Sequence, residues 1–523
     1  METLTASSVL LSFASILVVI GFFKVVNWVW LRPKKAEKWF RQQGLSGTSY
    51  KLLLGDMKDY SLLRTRALEK PMTSFTNDYF PRVDPLAHQL VTKFGKDYFV
   101  WAGPIPMISI SKPELTKEAF MKTNDFRKAK FNPIFDKLFP GLVSYEGEQW
   151  AKHRKIINPA FHVEKLKLML PAFRDSCEEM INKWEVIVAE TGTGELDVWQ
   201  DLMKLTADVI SRAAFGSNYE EGQRIFELLK EQTDLALLMM HSVYIPGFRY
   251  IPTPRNRRFK NIEDRIHSSL RKIINKRKVE MEAGEAVKSD LLGILMDSNL
   301  KEIQQAAGSN KNQHAGMNLQ EVIDECKLFY LAGQETTSTL LVWTLILLSK
   351  HQDWQARARE EVLQTFGNNV PDFEGLNHLK TVTMILYEVL RLYPPVIQLS
   401  RRIDKDTSLG ALSLPLGTLI TFSILSIHRD KEFWGDDAQE FKPDRFAEGI
   451  FKAAKGNNSF FPFGWGPRIC IGERFAMTEA KMAISKILQR FSLEISPSYV
   501  HAPMNVMFLQ PQHGAHIILH RLK

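Results

Sequence analysis

Between Phe463 and Gly472 the chain reads Phe-Gly-Trp-Gly-Pro-Arg-Ile-Cys-Ile-Gly, which sets one cysteine in a glycine-bounded loop with an arginine two residues before it. A thiolate that ligates heme iron needs backbone N–H groups turned toward its sulfur, and glycines at 466 and 472 permit a tight path that side chains would block. The sulfur must also stay anionic. Arg468 is expected to lower the thiol pKa and to meet a heme propionate, and Phe463 to shield one side of the sulfur from water. The alternative, a buried structural cysteine beside a turn, leaves the arginine, the phenylalanine and both glycines without a purpose.

Other segments stand in a telling order along the chain: Trp150 with Arg154, Ala332-Gly333-Gln334-Glu335-Thr336-Thr337, Glu388-Val389-Leu390-Arg391, Pro443-Asp444-Arg445-Phe446, and then the cysteine loop. Together they resemble the cytochrome P-450 family: the W-x-x-x-R propionate motif, the oxygen-activation segment, E-x-x-R, P-x-R-F and the heme signature F-x-x-G-x-R-x-C-x-G. The resemblance implies a mainly α fold with a small β-sheet part. It makes Cys470 the axial ligand of the iron in heme b. It also implies that Arg468, Phe463, Trp150, Arg154 and Arg401 contact the heme, with Arg401 favoured over Arg402, and that Glu335 and Thr336 deliver protons during catalysis. Arg445 is expected to join Glu388 and Arg391 in a structural triad. His428 departs from the family pattern, which often has two histidines at that point, so no heme role is assigned to it.

A chain of 523 residues could hold more than one core, since single cores usually stop growing at about 250–300 residues. No Gly/Ser- or Pro-rich linker, internal repeat or low-complexity tract follows residue 45, so a single catalytic body over 45–523 is the simpler reading. A net charge of +9 suits an anionic membrane surface or an acidic protein partner. Nucleic acid is excluded as a partner, because the basic residues are spread without a binding motif. The cysteines, Cys177, Cys326 and Cys470, form no C-x-x-C pair and no even framework, which argues against zinc and against a disulfide scaffold. Cys177 and Cys326 read as core or half-exposed residues in a reducing compartment.

From Ser8 to Leu31 the chain is predominantly apolar, with Lys24 its only charge. That length suffices to cross a hydrocarbon layer of about 30 Å. No small-residue cleavage site follows Phe23, so residues 1–31 read as one transmembrane anchor and not a signal peptide. Trp28 and Trp30 suit the interface, and Arg32, Lys34 and Lys35 place a positive flank after the span. Residues 32–44 then form a basic hinge, and the body faces the cytosol. By resemblance the membrane is that of the endoplasmic reticulum, which leaves the sequon at Asn457 unused.

The run Asn318–Lys350 contains no proline and one interior glycine, which predicts a single long helix. Gly333, disfavoured there by about 1 kcal/mol relative to alanine, suggests a place where backbone yields to a ligand, dioxygen by the resemblance. Glu388 and Arg391 share a helix face that ends at Pro394. Leu412 to Ile420, interrupted by Pro415-Leu416-Gly417, reads as two short strands.

Trp30-Leu31-Arg32-Pro33-Lys34, Arg41-Gln42-Gln43-Gly44 and the tail Pro497 to Pro503 resemble the plant cytochrome P-450 family 72, which includes secologanin synthase and oleanane triterpenoid oxidases. This resemblance implies oxidation of an apolar small molecule by O2, with electrons from NADPH delivered by NADPH-cytochrome P-450 reductase. An oleanane-type triterpenoid is the expected substrate, with an iridoid or a gibberellin-type diterpenoid as the alternative. A heme-thiolate isomerase or dehydratase, or a non-enzymatic heme protein, would have no use for Glu335 and Thr336. Expected pocket stretches are Phe131 to Val143, Leu235 to Met240, Phe329, Val396 to Leu399 and Met504 to Phe508. Lys152, Lys155, Arg474 and Lys481 are expected to edge the face where a reductase docks.

Overall fold

The helix that organises the molecule, Leu319–Lys350, runs unbroken for 32 residues. Asn318 caps it: its side chain accepts the backbone N–H of Glu321, and the Glu321 carboxylate accepts the N–H of Asn318 in return. Both sides of this helix are covered, so its apolar residues make no single stripe, and it is buried from Glu325 to Leu331 and again from Thr337 to Ser349. The computed structural model describes residues 2–129, 133–216, 219–240, 251–284, 290–307 and 316–522.

Helices Val163–Ile187, Val198–Phe215, Lys380–Leu392 and Glu473–Arg490 share one continuous apolar core with this central helix. Gly333 has its explanation here. A Cβ at that position would lie 2.9 Å from the side chain of Ile210 on Val198–Phe215, so the glycine lets two helices approach closely. The expectation that it makes room for a ligand is not needed to account for the glycine.

The remaining architecture is mainly helical with small sheets, as expected. Five strands pair in the order Tyr98–Ala102, Ile105–Ile110, Leu419–Ser423, Gln398–Ile403 and Phe126–Lys128. The segment read as two short strands divides between sheets: Leu412–Leu414 pairs with Thr407–Leu409, while Leu419–Ser423 crosses into the five-stranded sheet. A C-terminal hairpin, Pro503–Asn505 with Leu509–Pro511, reaches inward, where the Leu509 carbonyl accepts the indole N–H of Trp343 at 2.9 Å.

At the N-terminus, helix Glu2–Val26 passes into a π-helical turn, Asn27–Leu31, and then into helix Arg32–Gln42. It is long and apolar enough to cross a membrane, and its apolar stretch is exposed throughout. Helix Arg32–Gln42 lies against the body. Trp39 donates its indole N–H to the Ser413 carbonyl at 3.1 Å, and Tyr50 donates its hydroxyl to the Val29 carbonyl at 2.5 Å. That carbonyl lies within the π-helical turn, where the regular ladder is disturbed.

Candidate heme site

The cysteine loop is built on backbone. Cys470 donates its N–H to the Phe463 carbonyl at 2.9 Å, and Gly464 donates to Phe461 at 2.9 Å, so the loop closes on itself just ahead of helix Glu473–Arg490. Gly466 is required twice over: its φ is +72°, and a Cβ there would come within 2.9 Å of the Phe120 carbonyl. Gly472 is different. Its φ is ordinary and a Cβ would make only normal contacts, near 4.0 Å from the Cys470 sulfur. Its contribution is the N–H it directs to the sulfur. Phe463 is half-buried against the main core.

Burial pushes the Cys470 thiol up; the Gly472 N–H and the charges of Arg154 and Lys128 oppose that, while Glu473 adds to it. Arg468, expected to charge the sulfur's surroundings, is engaged elsewhere. It donates to the Tyr145 carbonyl at 2.7 Å, pairs with Glu146, and lies over the Trp150 ring at 4.4 Å. Arg154, one turn on from Trp150, donates to the Ile469 carbonyl at 2.9 Å. The structure therefore brings Trp150, Arg154 and Arg468 together beside the cysteine loop.

Arg401 joins them from the sheet. It is 5 % exposed and stacks on Phe120 at 4.6 Å, whereas Arg402 is half-exposed and bound to Asp404. Opposite Arg401 in register stands Lys128, which no sequence motif had marked. Burial first, and then the charges of Arg401 and Arg468, bring the Lys128 amine down to about 7; burial and Arg468 bring Arg401 down to about 10. Glu146 is the carboxylate that acts on this group, so the cations outnumber it.

These residues fit a heme. Cys470 is accessible although protein surrounds it closely, a combination that belongs to an interior wall and not to an outer surface. A thiol at such a wall beside a surplus of buried and half-buried cations matches a group that carries iron at its centre and carboxylates at one edge.

The central helix supplies a second accessible interior stretch. Ala332, Gly333, Gln334, Glu335 and Thr336 are half-exposed between long buried runs. Thr336 donates its hydroxyl to the Ala332 carbonyl at 2.6 Å, which holds its Oγ1 against the helix one turn back. Burial raises the Glu335 carboxyl to about 7, with Lys230 lowering it and Asp234 raising it. A carboxyl poised there can give or take a proton near neutral pH. Phe161 links the two stretches: its ring meets Phe329 of the central helix at 6.1 Å and lies 3.9 Å from a Cβ built on Gly472.

The Glu388–Arg391 pair is fully buried, with Arg391 donating to both carboxylate oxygens at 2.6 and 2.8 Å and to the carbonyls of His428 and Ala438. Arg445 approaches Glu388 at 3.4 Å and completes the triad. Such a pair is tolerated because every donor is met; losing one partner would cost about 3–5 kcal/mol. His428 is fully buried and held neutral, its pKa lowered to about 3 chiefly by burial, and its Nε2 accepts the Phe461 N–H at 3.1 Å. It ties the triad to the chain entering the cysteine loop.

The expected pocket stretches meet in part. Phe139 and Phe508 contact edge-on at 6.3 Å, which joins the stretch before Val143 to the C-terminal hairpin. Leu235 and Met239 pack on the same core as Phe329. Phe131 and the side chain of Met240 lie outside the described residues. A cleft of about 660 Å³ bounded by Thr65, Leu68, Pro71, Val500, Gln512 and His513 contains none of these residues.

Three of the four residues of the expected basic docking face have partners within the chain. Lys152 binds Glu321 at 3.0 Å, Lys155 binds Glu302 at 2.8 Å, and Lys481 donates to the Leu376 carbonyl at 3.1 Å. Arg474 alone of the four is exposed without such an ion pair.

The family model described as Cytochrome P450 matches residues 82–519. The chain is 56 % identical over 513 residues to echinocystic acid 23-monooxygenase of Saponaria officinalis, covering 98 % of each protein. It is 55 % identical over 500 residues to 11-oxo-beta-amyrin 30-oxidase of Glycyrrhiza uralensis, covering 95 % of each. It is also 52 % identical to cytochrome P450 72A15 of Arabidopsis thaliana, over 99 % of this chain and 100 % of that one. Among solved structures, retinoic acid bound cyanobacterial CYP120A1 superposes with a TM-score of 0.75 at 23 % identity, covering 91 % of this chain and 99 % of that one, which shows a shared fold.

Proposed function

The chain belongs to the cytochrome P450 family, and from that premise we propose that this monooxygenase, anchored by residues 1–31 in the endoplasmic reticulum membrane with its body in the cytosol, oxidises an oleanane-type triterpenoid. One observation carries the substrate class: near full-length similarity to two enzymes named for echinocystic acid and 11-oxo-beta-amyrin, both oleanane compounds. Electrons come from NADPH through NADPH-cytochrome P-450 reductase.

Heme b, when bound, supplies the iron at which dioxygen is activated. Cys470 would hold that iron. Arg154, Arg401, Arg468 and Trp150, with Lys128, would hold the heme carboxylates, which would replace a local surplus of positive charge with paired charge. Phe463 screens the sulfur side from water. On the central helix Glu335, which can hold a proton near neutral pH, and Thr336, whose hydroxyl donates to the Ala332 carbonyl, would supply protons for the reaction. Phe139, Phe329 and Phe508 offer the apolar wall a triterpenoid skeleton needs.

The test is turnover of the microsomal protein with reductase and NADPH on a panel of oleanane triterpenoids, iridoids and gibberellin-type acids, read by mass spectrometry. Product that gains oxygen on an oleanane skeleton supports the proposal. Product from the iridoid or gibberellin arm alone overturns the substrate class and leaves the family untouched.

A further inference from the structure

Helix Gly147–Ile157 carries Trp150 and Arg154 toward the cysteine loop, and between them in sequence it carries a residue in quite different surroundings. His153 is fully buried, and its Nδ1 lies 2.6 Å from Oε1 of Glu325, which is fully buried on the central helix. The second oxygen of Glu325 accepts the Leu142 N–H at 3.2 Å. The backbone is shaped around this carboxylate: Gly141 has a φ of +67°, and a Cβ there would come within 2.7 Å of it. Nε2 of His153 lies 3.4 Å from Glu321, and the ring meets that of Tyr145 edge-on at 4.7 Å. Tyr145 in turn donates its hydroxyl to Asp324 at 2.9 Å and accepts Arg468 on its carbonyl at 2.7 Å. An unbroken line of contacts runs from the central helix through His153 and Tyr145 to Arg468.

Apolar side chains would pack these helices without the desolvation that a buried histidine and glutamate carry. What the polar pair adds is register. A hydrogen bond between Nδ1 and Oε1 fixes one rotation of helix Gly147–Ile157, and at that rotation Arg154 reaches the Ile469 carbonyl while Trp150 lies under Arg468.

We infer that His153 and Glu325 form a clamp that locks helix Gly147–Ile157 to the central helix and so holds the Trp150, Arg154 and Arg468 group at its spacing from the cysteine loop, which makes His153 a positioning residue for heme retention. The clamp rests on the reading of that group as the heme-carboxylate site.

The experiment measures how fast heme passes from the purified full-length holoprotein to excess apomyoglobin. His153→Phe keeps a ring and removes both nitrogens; His153→Asn places an amide N–H close to where Nδ1 donates. The phenylalanine variant loses heme about tenfold faster than wild type, and the asparagine variant stays within about twofold of wild type. Because His153 acts through the helix and Arg154 is one of the residues it positions, His153→Phe combined with Arg154→Ala accelerates heme loss by clearly less than the product of the two single effects. A merely structural weakening would add to Arg154→Ala and would not be restored by asparagine. Unchanged loss from His153→Phe, or full additivity with Arg154→Ala, overturns the clamp. If His153→Phe does not accumulate, Glu325→Gln takes its place with the same additivity criterion. Unchanged loss from Arg154→Ala contradicts the carboxylate-site reading itself and is thereby told apart from failure of the clamp.

Discussion

Lys128 and Arg401 stand directly opposite each other on antiparallel strands, two cations in register on the same sheet. Like charges so placed destabilise a sheet. An anion bound between them reverses the sign. Lys128→Gln is therefore expected to raise the stability of the heme-free protein slightly and to weaken heme retention, two opposite shifts from one substitution. Thermal unfolding of the heme-free protein and heme transfer from the loaded protein check both signs.

Glu335 sets a pH dependence. Its carboxyl is raised from the ordinary value of 4.5 to about 7, so the folded chain binds a proton there that the unfolded chain has already released. Between those values the native state holds more protons, and stability falls as pH rises through the window. Glu335→Gln removes this slope. Denaturant unfolding of wild type and variant at intervals from pH 4.5 to 7 gives the difference, in which the other titrating groups cancel; parallel curves would remove Glu335 from the account.

Thr336→Ala leaves the helix and the heme site intact but removes the hydroxyl that the Ala332 carbonyl holds. Product formed per NADPH consumed is expected to fall by about tenfold or more, with hydrogen peroxide released in its place, because proton delivery is no longer organised. NADPH, peroxide and product are measured together for both proteins.

The chemistry-bearing residues were legible in the sequence where a local rule requires a residue type. Gly466 needs a positive φ, Glu388 and Arg391 are one helical step apart, and the span from Ser8 declares itself by length and apolarity. Lys128 and the His153–Glu325 pair were not legible, since each acquires meaning only across strand or helix contacts that join distant parts of the chain. Gly333 shows how a second cause stays hidden. Its place beside Glu335 suggested a ligand, and the helix that packs on it was invisible until Ile210 was placed in space. The partners of the basic residues expected at a docking face were invisible for the same reason, because sequence does not reveal that Lys152 and Lys155 meet Glu321 and Glu302.

Topology has its own test. Added protease should digest the body in intact microsomes, and Asn457 should carry no glycan. The sequon's Ser459 is fully buried in the folded protein, and its N–H is bonded to the Asn457 side chain at 3.0 Å. Full protection from protease, or a glycan at Asn457, would reverse the orientation.

The most direct measurement is the spectrum of the reduced carbon monoxide complex in three cysteine variants. Cys177 and Cys326 are buried, and burial pushes both thiols well up, so neither is suited to hold iron as a thiolate. Cys470 is the accessible one; burial pushes its thiol up as well, but there the Gly472 N–H and the charges of Arg154 and Lys128 oppose the rise. Cys470→Ala should abolish the long-wavelength band and all activity, while Cys177→Ala and Cys326→Ala keep both. A long-wavelength band that survives Cys470→Ala would contradict the account at its centre.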